Sequence, residues 1–198
     1  MKLVLATQNP KKLKEMNEIL SHLGVEVVSE AELGVRIEVE ETGDTFTDNA
    51  RLKATAVMQA TGLPAVADDS GLCVDALNGG PGVYSARFGG EELDDKGRYT
   101  LLLEMLRGQT DRAAHFHTSI VCAFPNGDEL VCEGECPGTI AFAPMGEGGF
   151  GYDPVFFVPE LRKTFGQLTA EEKASVSHRG KALRAFAAAL DDYLKGNE

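Results

Sequence analysis

Two adjacent carboxylates, Asp68-Asp69, are the residues in this chain best suited to do chemistry. An apolar run from Pro64 to Ala67 leads into them, Ser70-Gly71 follows, and Leu72-Cys73-Val74 is apolar again. Flanks of strand character hold carboxylates rigidly, and neighbouring negative charges repel each other unless a proton or a cation relieves them. In a globular protein the usual cation is Mg²⁺, which takes oxygen ligands and commonly bridges protein to phosphate. The pattern predicts a strand that delivers both carboxylates into a Ser-Gly turn beside a metal ion. A solvated turn of the same composition is the plain alternative.

Three further segments carry groups suited to a nucleotide. Thr7-Gln8-Asn9-Pro10-Lys11-Lys12 lies at a strand-to-helix junction, where unpaired N–H groups and the helix dipole favour an anion. Thr7 and Asn9 can hydrogen-bond phosphate oxygens, and Lys12 adds charge. The segment is not a P-loop, because no GxxxxGK[ST] occurs in the chain. In Gly148-Gly149-Phe150-Gly151-Tyr152-Asp153-Pro154 the glycines permit close backbone approach, and Phe150 and Tyr152 offer faces on which a base can stack. Asp153 can accept from a base edge or a sugar. Ser177-His178-Arg179-Gly180-Lys181 supplies directional donors, while Lys173 and Lys53, both in predicted helices, can meet phosphates as point charges. Lys11 and Lys181 read as solvated helix-face residues. His115-Phe116-His117 could pair on one strand face as zinc ligands, but no third ligand is placed by spacing, and a solvated face explains the pair.

The elements that must position these groups alternate between strand and helix. Residues 2–6 read as a short buried strand. Asn9 as N-cap and Pro10 at the first position start a helix whose apolar stripe is Leu13, Met16, Leu20 and Leu23, with Gly24 as its stop. Residues 35–39 alternate as a strand would. Thr45 to Asp48 resembles a capping box opening a helix to about residue 60, closed by Gly62. A third helix covers roughly residues 95–107. Residues 114–124 alternate, Asn126-Gly127 marks a hairpin, and residues 129–132 begin the return strand. The chain closes with a helix from about residue 177 to 194, apolar at Leu183, Phe186, Leu190 and Leu194. Helix–strand alternation followed by a central hairpin predicts a mixed α/β protein with a cleft between two lobes, spanning 1–198 as one domain.

Composition narrows the function. The chain has 198 residues, of which 43% are hydrophobic, enough to bury a substantial core. A net charge of −12 repels polyanions, so broad binding to DNA or RNA is not expected, and any small anion must find locally gathered cations. The N-terminal apolar stretch is too short for a secretory signal and there is no membrane-spanning run. The four cysteines form no CxxC pair and read as free, buried thiols, which predicts a reduced, cytoplasmic protein.

In this order along nearly the whole chain, these segments resemble the non-canonical purine nucleoside triphosphate pyrophosphatases, the inosine/xanthosine triphosphate pyrophosphatase or HAM1-like family. The resemblance also takes in Glu40-Glu41-Thr42-Gly43 leading to Asn49 and Lys53, and Gly80-Pro81-Gly82 with Ser85-Ala86-Arg87. It implies a homodimeric α/β protein with a long curved central sheet, helices on its flanks and a nucleotide cleft between two lobes. It further implies hydrolysis of ITP, dITP and XTP to the monophosphate and pyrophosphate, dependent on Mg²⁺; because both ions suit oxygen ligands, Mn²⁺ is the expected substitute. By the same resemblance Asp69 is the general base and a metal ligand, and the Glu40/Glu41 pair covers the other metal carboxylate, with spacing leaving open which of the two faces the ion. Ser70 and the segment Thr7 to Lys12, including Gln8, Pro10 and Lys11, are substrate contacts. Lys12, Lys53 and Lys173 match phosphate or sugar contacts. Phe150, Gly151, Tyr152 and Asp153 together with His178 and Arg179 match the base pocket. Two other readings are a Maf-type pyrophosphatase, against which the Ser-His-Arg and Gly-Phe-Gly-Tyr-Asp segments speak, and a nucleotide sensor without catalysis, against which the retained carboxylates speak.

Overall fold

Leu3, Val4 and Leu5 have no solvent exposure, the unbroken apolar run of a strand covered on both faces. They belong to β1 (Lys2–Leu5), which pairs in parallel with β2 (Glu26–Ser29) and with β3 (Ala65–Val74). The computed structural model describes residues 1–7 and 9–196; Gln8, one of the expected substrate contacts, lies outside the described residues. Between β1 and β2 runs α1 (Pro10–Leu20), opened by the Asn9 side chain accepting from the Lys11 N–H. Its predicted stripe packs inward, with Met16 and Leu20 buried.

Between β2 and β3 lies α2 (Phe46–Thr61), capped by Thr45 and closed by left-handed Gly62. Strand alternation divides the faces of the sheet here. Val66 joins Leu3, Leu5, Met16, Leu20 and Phe186 in one cluster, whereas Ala65 and Ala67 pack with Ala50, Ala54 and Val57 of α2. The remaining elements are α3 (Asp95–Met105), β4 (Ala113–Ala123), β5 (Glu129–Ile140), β6 (Phe156–Val158), β7 (Lys163–Thr164), α4 (Ala170–Val176) and α5 (His178–Gly196). Among the described residues seven strands form one mixed, open sheet in the order β2-β1-β3-β4-β5-β6-β7, with β5, β6 and β7 paired antiparallel.

Two sequence expectations fail. The Ser70-Gly71 turn does not exist: β3 runs without a break from Ala65 to Val74, so the double aspartate lies in mid-strand. Consecutive strand residues point to opposite faces, so Asp68 and Asp69 diverge and do not converge on one ion. The strand expected at residues 35–39 is also absent. The amides a ladder would need are taken by Glu30, whose carbonyl accepts from the Val35 N–H and whose carboxylate accepts from the Ile37 N–H at 3.1 Å.

By internal contacts the chain resolves into two compact units. The first comprises residues 1–69, 118–134 and 181 onward, with a core of Leu3, Leu5, Met16, Leu20, Ile120, Leu183, Phe186 and Leu190. The second comprises residues 70–117 and 135–180, with a core of Leu102, Leu106, Phe116, Val155, Phe156 and Phe165. In that second core Phe116 stacks on Phe165 at 5.6 Å and meets Phe156 edge-on at 4.7 Å. None of the four cysteines is in a disulfide; Cys122, Cys132 and Cys136 are buried and Cys73 is half-buried. Among the described residues no helix is long and apolar enough to cross a membrane.

Candidate active site

In the first unit, Asp69 is set on β3 on the same face as Ala65 and Ala67, toward α2. Residues 49 and 53 of α2, one helical turn apart, share a face and both reach it. Lys53 Nζ donates to Glu41 Oε1 at 2.7 Å, to the Asp68 carbonyl at 2.9 Å and to Asp69 Oδ1 at 3.4 Å. Asn49, fully buried, donates from Nδ2 to Asp69 Oδ2 at 3.2 Å and accepts the Gly43 N–H at 2.8 Å. That close approach needs glycine at position 43, since a Cβ there would stand 2.7 Å from the Asn49 oxygen. Asn49 therefore fixes the Asp69 carboxylate in orientation while Lys53 supplies its counter-charge.

The electrostatics follow from this packing. Burial raises the Asp69 pKa above the usual carboxylate value and Glu41 adds to the rise, while Lys53 and the Asn49 hydrogen bond pull it back. Burial opposes charge on Lys53, but the charges of Asp69, Glu41 and Asp68 outweigh it and hold its pKa above the ordinary value. Of the two candidate glutamates, Glu41 is the one at Lys53 and Asp69; Glu40 is exposed. A cation thus already stands where two carboxylates meet. Two hard oxygen ligands of this kind fit Mg²⁺, which completes its shell with water and phosphate oxygens. Among the described residues no group of three or more His, Cys, Asp or Glu side chains is gathered to hold a metal unaided. His117 in particular lies 3.0 Å from the Glu135 carboxylate.

On the opposite face, Asp68 holds Lys12 of α1 in an ion pair of 2.8 Å, with the aspartate side chain only 4% exposed. Thr7 Oγ1 accepts the Asn9 N–H at 3.2 Å, which braces the turn into α1. Pro10 and Lys11 lie exposed on the helix surface. Sequence reasoning named Lys12 but missed its partner's task, because adjacency suggested that the two aspartates act together.

In the second unit the Gly148–Pro154 loop presents Phe150, 77% exposed, with the Lys173 ammonium 4.9 Å from its ring centroid. Asp153 is buried, forms an ion pair with Lys173 and accepts the Phe150 N–H at 2.9 Å. Burial raises the Asp153 pKa, partly offset by the Lys173 charge. Gly149 must be glycine, because a Cβ there would overlap the Asp153 carboxylate. Tyr152 is not a stacking face: it is buried in the core and its hydroxyl donates to the Ser85 carbonyl at 2.8 Å. His178 stacks on Phe116 at 4.7 Å and opens α5 beside Arg179, with Ser177 Oγ accepting the Gly180 N–H at 3.0 Å. Gly180 lets α5 pass close to α4, since a Cβ would lie 2.3 Å from the Ala174 carbonyl oxygen. Ser70 is half-buried on β3.

An open mixed sheet flanked by helices, with lysine-braced carboxylates on an interior strand, defines the class as an α/β protein with cations and acids held side by side. The chain matches the Ham1 family over residues 3–189, and it belongs to that family. A dITP/XTP pyrophosphatase of Exiguobacterium is 50% identical over 196 residues, covering 99% of this chain and 100% of the relative. Among solved structures, a HAM1 protein from Coxiella burnetii superposes with a TM-score of 0.93 at 43% identity, covering 97% of this chain and 99% of that one. The Ham1 protein of Staphylococcus aureus gives a TM-score of 0.91 at 41% identity over the full length of both chains.

Proposed function

We propose that this chain hydrolyses non-canonical purine nucleoside triphosphates (ITP, dITP and XTP) to the nucleoside monophosphate and pyrophosphate. The observation that carries the reading is Asp69, oriented by Asn49 and braced by Lys53, in a chain half identical to a dITP/XTP pyrophosphatase over almost all its length. In the first unit, Lys53, Glu41 and Asp69 on one face of the sheet and Lys12 on the other are the groups suited to phosphate; in the second unit, Phe150, Asp153, Lys173, His178 and Arg179 are those suited to a base and sugar.

A carboxylate oxygen of Asp69 takes a proton from water as the water oxygen bonds to the α-phosphorus. The bond from that phosphorus to the bridging oxygen then breaks, and pyrophosphate departs with the electron pair. Asn49 and Lys53 hold the Asp69 carboxylate in place to receive that proton, in surroundings whose burial raises its pKa in the metal-free protein. Lys53 and Lys12 set positive charge against the phosphate oxygens, where it counts more in a partly buried site than in water. Mg²⁺, held by Glu41 and Asp69, would neutralise charge on the phosphate oxygens, and Mn²⁺ suits the same oxygen ligands. At the base, hypoxanthine and xanthine present a carbonyl at the 6-position where adenine presents an amino group. Donors from Arg179 or His178 would be satisfied by the first and left unpaired by the second. The family resemblance adds a homodimer and a cytoplasmic location to this proposal, the former open to sedimentation analysis.

The test is pyrophosphate release from ITP, dITP, XTP, GTP and ATP with Mg²⁺, for the wild type and Asp69→Asn. The first three should be preferred, and the variant should lose about 10²–10⁴-fold in kcat while keeping its fold. Near-normal turnover by a folded Asp69→Asn protein would remove Asp69 from the role of base.

A further inference from the structure

Phe150 is a large aromatic ring standing in solvent, and apolar packing does not hold it there. On the α3 side of its loop lies a hollow of about 540 Å³, bordered by Lys96, Tyr99, Glu147 and Phe150 itself. What fixes the ring is polar. The Phe150 N–H donates to Asp153 at 2.9 Å, and the next amide, Gly151 N–H, donates to Asp95 Oδ2 at 2.7 Å. Asp95 is the first residue of α3, and its other oxygen lies 3.5 Å from Arg98 of the same helix. The two amides on either side of the Phe150 Cα are therefore held by carboxylates from two different elements. Gly151 has a φ of +59°, so the loop keeps no side chain there that could anchor it in place of this bond.

We propose that Asp95 is a positioning residue for base recognition: it tethers the loop across the hollow so that Phe150 is pre-set as a stacking platform for the purine. The inference rests on the reading of Phe150 as a base contact. Without the tether the loop samples other conformations, and binding the base requires ordering it first, which weakens affinity without touching the reacting atoms. The effect belongs in KM and in binding of the base, not in kcat.

The experiment compares Asp95→Ala, Asp95→Asn, Phe150→Leu and the Asp95→Ala/Phe150→Leu pair. It measures kcat and KM for ITP, and the inhibition constant of inorganic tripolyphosphate, a probe with phosphates and no base. Asp95→Ala should raise the ITP KM roughly tenfold, the scale of one lost aromatic–base contact, with kcat little changed. Tripolyphosphate inhibition should be unaltered. Asp95→Asn, whose amide oxygen still accepts the Gly151 N–H, should stay within about threefold of the wild type, and the double variant should be no worse than Phe150→Leu alone. If alanine disrupts the start of α3, Asp95→Gln, too long for the same bond, replaces it. A normal KM in Asp95→Ala while Phe150→Leu is impaired would overturn the role of Asp95. Equal losses for ITP and tripolyphosphate would make Asp95 merely structural. An unimpaired Phe150→Leu would instead overturn the reading of Phe150 on which the inference stands.

Discussion

Asp68 and Asp69 are neighbours in sequence but each serves a different helix. Asp69 faces α2 and its Lys53, while Asp68 faces α1 and its Lys12. One strand thus sets two lysines from opposite faces of the sheet, which explains why both positions are acidic without a shared ion. On the proposed reading Asp68 would act on phosphate through Lys12, so Asp68→Asn should lower kcat/KM for ITP by about 10–100-fold, the worth of a charge-assisted bond. Lys12→Ala should give a loss of similar size, and the two together little more than either. Wild-type kinetics in Asp68→Asn would show that Lys12 needs no guide. The glutamates divide in the same concrete way. With Glu41 at Lys53 and Glu40 exposed, Glu41→Gln should raise the Mg²⁺ concentration needed for half-maximal rate by roughly tenfold or more, as for loss of one metal-binding carboxylate. Glu40→Gln should leave it unchanged; the reverse result would place the metal on Glu40.

At the scale of elements, the helices were legible because their ends are written in local chemistry: Asn9, Thr45, Gly24 and Gly62 act on the backbone within a few residues. Asn126-Gly127 was legible for the same reason, with Gly127 at a φ of +93°. The elements misread are those decided by distant partners. Asp-Asp-Ser-Gly has turn composition, yet pairing within the sheet keeps it extended. Val35 to Val39 has strand alternation, yet the Glu30 contacts take the amides that a ladder would need. Tyr152 looked available for stacking because nothing nearby in sequence announces Ser85 as its partner. The glycine loop hides a similar dependence in Asp153, buried against Lys173. Its folded pKa is raised, so the ionised form is disfavoured in the folded state relative to the unfolded one. Any stability linked to that proton is full below the unfolded pKa and lost as pH rises through the raised, folded one. Asn mimics the protonated acid and still accepts from Phe150. Asp153→Asn should therefore melt at the same temperature as the wild type at pH 7 or up to about 3 °C higher. Any such margin should close as pH falls through the raised pKa. Paired melts at pH 7 and in acid decide it: a variant less stable at pH 7 would mean the Lys173 pair outweighs the cost of burial.

At the scale of the whole molecule, a net charge of −12 sits beside a proposed substrate that is itself a polyanion. The charge works against loose attraction, so on the proposed reading binding depends on places where lysines are gathered and braced by carboxylates. The chain's path has a second consequence. It passes between the two compact units at residues 69/70 within β3, 117/118 within β4, 134/135 within β5 and 180/181 within α5. Neither unit is a continuous piece of sequence, and four regular elements each lend residues to both. Melting one unit frays strands that the other also uses, so equilibrium unfolding should be a single transition. Phe186 is fully buried in the first core and Phe156 in the second. Phe186→Ala and Phe156→Ala should each cost about 3–5 kcal/mol, the usual price of emptying an aromatic core position. Far-UV circular dichroism follows the whole backbone. Tyrosine emission, in a chain with no tryptophan, follows mainly the second unit, which holds Tyr84, Tyr99 and Tyr152 while the first holds Tyr193. In urea both signals should move together in the wild type and shift together in either variant. A Phe186→Ala protein whose circular dichroism falls at lower urea than its tyrosine signal would show that the units unfold separately, and the shared strands would then not couple them.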